Sequence, residues 1–185
     1  LSPVISRLYS PSDFGRYGSF SAIAGIIAAG VTLDYCQAIM LPKEKAEAAN
    51  ILVMSFLISG IVTLLCVLVF TFAPGTINRM MNTSGAWPLI LLATAAFVAG
   101  ISRSLQAWAI RAMAFKTTSA AQVVRSLTSN GAKITLGYLR FESAGLMISN
   151  VMADLAVSFS LGRVFWRDAG LIKHAVRWSR MRNLA

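Results

Sequence analysis

The chain has 185 residues, of which 56% are hydrophobic and 13% charged, where a soluble domain runs at about 45–50% and about 25%. With a mean hydropathy of +0.66, this composition excludes an ordinary water-soluble globule, and it excludes a disordered chain, which needs few apolar residues and much charge. The 17 basic against 7 acidic residues give a net charge of +10. In a soluble protein that excess would suggest nucleic acid; here the basic residues fall mainly between or beyond long uncharged runs, as in the cytoplasmic loops of a membrane protein.

In chain order, residues 1–13 are expected to be an outer loop. Leu1 is not an initiator Met and no basic region precedes an apolar stretch, so no signal peptide is expected, and the chain is expected to begin mid-protein. Ser10, Pro11 and Asp13 then supply helix-entry chemistry, with Ser10 as N-cap. A helix needs roughly 20 apolar residues to cross the hydrocarbon, and five candidate spans follow: 14–33, 51–72, 87–105, 118–139 and 143–164. Pro74-Gly75 ends the second, and Trp87-Pro88 opens the third. Residues 166–185 are basic and amphipathic; two readings stay open, an interfacial helix on the cytoplasmic leaflet or a solvated linker. The expected fold class is an all-α integral membrane protein with about five transmembrane helices.

The fourth and fifth spans carry polar stripes. Gln122, Arg125, Ser126, Ser129 and Lys133 recur at helical spacing, as do Asn150, Asp154 and Ser158, while Ala121, Val124, Leu146 and Val151 make apolar faces. Such stripes suit helices that face a protein interior or a watery cavity. A short outer turn near residues 140–143 makes these spans an antiparallel hairpin. Counted from residue 141, Arg125 and Asp154 differ in depth by only about 4–5 Å, so the two are expected to pair; Lys133 meets the level of Asn150. Either these groups glue helices together, or they line a cationic cavity for an anionic headgroup. Small residues at Ser21, Gly25, Ala28, Ala29, Ala96 and Gly100 are read as permitting close helix approach.

Orientation follows from the basic residues. Eleven of them, Arg103 included, fall on one side of the five spans and four on the other, which makes the first side, and the C-terminal tail, cytoplasmic. No phosphate-binding loop, HExxH or GxSxG motif is present, and the single His174 holds no metal alone. Cys36 and Cys66 lack metal-site or disulfide-framework spacing, and Cys66 is expected to pack as a small hydrophobe. No enzyme activity, cofactor, metal or nucleic-acid partner is expected.

The connecting segments resemble a known family. Residues Pro3 to Gly18, the stretch Tyr35-Cys-Gln-Ala-Ile-Met-Leu-Pro42 with Lys43, Glu44 and Glu47-Ala-Ala-Asn50, and Arg103-Ser-Leu-Gln-Ala-Trp-Ala-Ile-Arg111 with Phe115 are similar to the first outer and first two cytoplasmic loops of bacterial polysaccharide-biosynthesis membrane proteins. That group comprises the flippases of lipid-linked O-antigen and exopolysaccharide within the multidrug/oligosaccharidyl-lipid/polysaccharide exporter superfamily. Asp34 and Cys36 stand where many relatives carry Arg and an acidic residue. The resemblance implies a two-lobe fold of twelve to fourteen helices, of which five would correspond to helices two to six, so the chain is expected to be a fragment of the N-terminal lobe. It also implies location in the bacterial inner membrane and a substrate of the undecaprenyl-pyrophosphate-linked oligosaccharide type. Membrane lipids and other polysaccharide-assembly membrane proteins are the implied partners. On that reading Arg125, Lys133, Gln122, Ser129, Asn150 and Asp154 are the candidate lining of the substrate cavity. The alternatives are a drug/cation antiporter of the same superfamily, which would want acidic cavity residues, and a non-transporting membrane remnant.

Overall fold

In the computed structural model the described residues are 2–32, 38–42, 45–72, 75, 79, 85 and 87–172. Among them the architecture is wholly helical: α1 (Ser2–Leu8), α2 (Pro11–Thr32), α3 (Lys45–Phe72), α4 (Trp87–Arg111), α5 (Phe115–Tyr138) and α6 (Glu142–Ile172). Cys36 and the tail beyond Ile172, with His174, lie outside the described residues.

The five long helices overlap the five segments read as candidate spans. Three segments, Glu47–Val69, Trp87–Arg111 and Glu142–Trp166, are long and apolar enough to cross a membrane. The outward face of α3 leaves Ile61, Leu64, Leu65, Leu68 and Phe72 half exposed or more; such a large apolar surface is stable only against lipid or further protein. α2 and α5 are diluted by glycine, serine and charge, so composition alone does not single them out. Three hydroxyls inside the helices are satisfied locally: Ser55, Ser104 and Ser158 donate to the carbonyls of Ile51, Gly100 and Asp154 one turn back. That is how a hydroxyl is kept where water is scarce.

Helix entry at α2 follows the expected chemistry. Ser10 Oγ accepts from Asp13 N at 3.2 Å, and Asp13 Oδ2 accepts from Ser10 N at 3.0 Å and from Ser10 Oγ at 2.6 Å. This is a reciprocal capping box with Pro11 as first helical residue.

Two loop expectations are corrected. Residues 1–13 do not form a loop throughout, because Ile5 and Tyr9, one helical turn apart, bury themselves with Leu146 and thereby order α1. Tyr9 OH donates to the Lys133 carbonyl at 2.7 Å. Burial, reinforced by the charge of Asp13, holds the Tyr9 phenol above the ordinary tyrosine value, so it stays a donor. Likewise the segment 103–111 is not a loop. It is the last turns of α4, held in helix because Ala107, Trp108 and Ala109 are buried, with Trp108 edge-on to Phe165 at 5.6 Å, while Arg111 Nη1 donates to Ile39 O at 2.9 Å.

The two tight turns, after α4 and after α5, share one device. Ala114 N donates to Ala109 O and Met113 N to Ile110 O; Phe141 N donates to Leu136 O and Arg140 N to Gly137 O. These are Schellman caps, with Met113 (φ 52°) and Arg140 (φ 57°) in the left-handed position usually filled by glycine.

Candidate functional site

α5 and α6 form the expected antiparallel hairpin, so side chains equally far from the 139–141 turn meet at one level. Arg125 Nη2 lies 2.8 Å from Asp154 Oδ1, the carboxylate side chain only 11% exposed and the guanidinium 42%. The pair expected from depth arithmetic therefore forms.

It does not stand alone. A polar cavity of about 220 Å³ opens between α2, α4, α5 and α6, with Arg103, Arg125, Asn150, Asp154, Gln106 and Ser102 among its lining groups. Arg103 Nη1 donates to Ala28 O on α2 at 3.1 Å, and Arg103 lines the same cavity as Arg125 and Asp154. Gln106 Nε2 donates to Ser102 Oγ at 3.4 Å, one turn up α4. Two guanidiniums thus face one carboxylate, and the cavity carries a net positive charge with amide and hydroxyl groups around it.

The floor on the α2 side is made of Ser21, Ala24, Gly25 and Ala28. This corrects the reading of the small-residue stripe in α2. A Cβ built on Gly25 would meet nothing within 4 Å, so smallness there leaves room and does not seal a contact. Close approach occurs elsewhere, at Gly137 and Gly145. A Cβ at Gly137 would lie 3.1 Å from both Leu8 Cβ and Tyr9 Cε2, and one at Gly145 would lie 2.8 Å from Tyr9 OH.

Of the six expected lining residues, Arg125, Asn150 and Asp154 are brought together at the cavity. Gln122 is exposed and Ser129 half-buried, neither among its lining. Lys133 sits nearer the α5–α6 turn, its ammonium 5.5 Å from the centroid of the Tyr17 ring, a cation–π contact. Ser158, in the α6 stripe, lines a different, apolar groove.

Sequence reasoning missed Ser102, Arg103 and Gln106. Arg103 counts with the cytoplasmic loops by sequence; its place on the polar cavity leaves that side ten basic residues against four, which preserves the asymmetry. The usable signal was the spacing of Ser102 and Gln106 at i and i+4 with Arg103 between them, a polar stripe read as loop because it lay near a span end. Among the described residues no cluster of His, Cys, Asp and Glu fit to hold a metal ion occurs.

An all-helical membrane bundle with a half-buried ion pair and a cationic cavity defines a class of membrane proteins built around a polar interior. Within it, the model of the family described as polysaccharide biosynthesis protein matches residues 4–184, and the chain belongs to that family. No curated protein and no solved structure matches the chain.

Proposed function

We propose that this chain forms part of a flippase or exporter that carries a lipid-linked oligosaccharide, of the undecaprenyl-pyrophosphate type, across the bacterial inner membrane for lipopolysaccharide or exopolysaccharide synthesis. The observation that carries this reading is the excess of guanidinium over carboxylate in the cavity: Arg103 and Arg125 against Asp154. A pyrophosphate cannot cross hydrocarbon unaided, and a guanidinium fork matches its oxygens in geometry and charge. Membership in a polysaccharide-biosynthesis family supports the sugar-linked character of the cargo. The role is carriage and not catalysis, with the basic end of the bundle and the C-terminal tail on the cytoplasmic side.

Cation export is disfavoured by the same geometry. The lone acid among the cavity's described lining, Asp154, is already paired with Arg125 and shares the cavity with Arg103, so an entering cation would meet net positive charge.

The test is complementation of a strain lacking its O-antigen flippase with the full-length gene. Restored surface O-antigen supports the reading. Arg125→Ala at equal membrane abundance should lower it by roughly tenfold or more, the worth of one charged hydrogen-bond pair. Restored drug resistance without O-antigen would overturn it.

A further inference from the structure

A second cavity, independent of the polar one, lies at the other side of α6. It is a groove of about 440 Å³ between α3, α4 and α6, walled by Phe56, Ile101, Leu105, Phe159 and Phe165, with Arg163 and Trp166 at one end. α5 runs antiparallel to both its neighbours in sequence, so α4 and α6 are parallel and their C-terminal ends lie together. The start of α3 packs on the same end through Ala48, Ala49 and Leu52 against Ala107 and Trp108. This is the end that bears Arg111 and Lys116.

The groove is therefore two-ended. From Phe159 to Trp166 it extends about 10 Å along α6, at about 1.5 Å per residue. Its inner stretch is apolar; its outer end holds the exposed Arg163, which makes no ion pair among the described residues and rests 4.9 Å above the Phe159 ring. The indole of Trp166, 81% exposed, stands where interfacial aromatics sit.

We propose that this groove is a binding site for an anionic phospholipid of the leaflet at the basic end of the bundle, its phosphate on Arg163 and one acyl chain along Phe159, Ile101 and Leu105. The polarity of the groove argues for that occupant. A second copy of the chain or another helix would cover the apolar wall without needing, at the headgroup level, a cation that has no carboxylate partner among the described residues, and a zwitterionic lipid would leave the guanidinium without net compensation. The site shares no residue with the polar cavity, so it stands or falls apart from the proposed function.

The test uses the whole purified chain, stripped of lipid in detergent and titrated with phosphatidylglycerol or phosphatidylcholine under native mass spectrometry. One surface-level cation predicts about a fivefold preference for phosphatidylglycerol. Arg163→Gln should abolish the preference while keeping residual binding of both lipids. Gly162→Leu should fill the groove and remove both, with helical content unchanged, since a Cβ there meets nothing within 4 Å. Equal retention of the two lipids by the unaltered chain, or a preference that survives Arg163→Gln, overturns the proposal. A concentration-dependent dimer that Gly162→Leu dissolves would assign the groove to a second copy and overturn it equally.

Discussion

Arg125 and Asp154 approach to 2.8 Å across the α5–α6 hairpin, and the contact is set by the turn that joins their helices. Because residues 139–141 reverse the chain in one Schellman cap, depth along α5 and depth along α6 are measured from a common origin. A guanidinium and a carboxylate at similar distances from it face each other. Taking the guanidinium away leaves unpaired a carboxylate side chain only 11% exposed.

Arg125→Ala should therefore destabilise the chain by about 1–3 kcal/mol, the cost of an unpaired polar group, moderated by the exposure of the guanidinium and by Arg103 nearby. The exchange R125D/D154R should recover more than half of that loss. Thermal unfolding in detergent, arranged as a double-mutant cycle, measures the coupling; a swap no better than either single change would refute the pair.

Two helical glycines, Gly25 within α2 and Gly145 in the first turn of α6, should answer the same substitution with opposite sign. Gly25→Ala should stabilise by about 0.5–1 kcal/mol, because helix interior favours alanine and the added methyl meets open space. Gly145→Ala should destabilise by about 1–3 kcal/mol, because its methyl collides with Tyr9 OH and Leu136 Cβ. Tyr9→Phe, which removes only the bond to the Lys133 carbonyl, should cost about 1 kcal/mol. Melting temperatures of the three variants order these effects.

The capping box gives a local test. Ser10→Ala removes the acceptor for Asp13 N and the hydroxyl that Asp13 Oδ2 receives, and should cost about 1 kcal/mol. Hydrogen exchange should show the loss confined to faster opening of the first turns of α2; a uniform rise in exchange over α4 and α6 would contradict a local cap.

Cavity charge can be separated from cavity structure at Arg103. Arg103→Lys keeps the charge but not the planar fork that reaches Ala28 O, whereas Arg103→Gln removes the charge. If the cavity accommodates an anionic headgroup, the full-length Arg103→Gln protein should support at least about fivefold less O-antigen than Arg103→Lys at matched abundance, because the cation itself is the larger contribution. Equal output from both variants would show that Arg103 acts only as a helix tether.

Much of this was written along the chain because it depends on local order. Uncharged runs of membrane length placed α2, α3 and α4, the Ser10-Pro11-Asp13 triplet placed the start of α2, and helical spacing marked α5 and α6 and aligned Arg125 with Asp154. The helix stops were less legible: a glycine normally marks a Schellman cap, and here Met113 and Arg140 occupy that position, held by the hydrogen bonds of the turn in place of an intrinsic preference. The same limit hid α1, ordered by contact of Ile5 and Tyr9 with Leu146 on α6, and it turned the end of α4 into an expected loop.

One-dimensional order thus determined that the protein is a helical membrane bundle and which polar residues share a helix face, since composition and the 3.6-residue period are properties of the chain itself. Which faces confront one another was decided only in three dimensions. Packing of α2 and α4 on the hairpin brought Ser102, Arg103 and Gln106 to Asp154, left Gln122 and Ser129 outside, and turned the Gly25 stripe into the open floor of the cavity. Those outcomes depend on helix rotation about its axis and on side-chain volume between helices, and neither is encoded in the spacing of residues along any single helix.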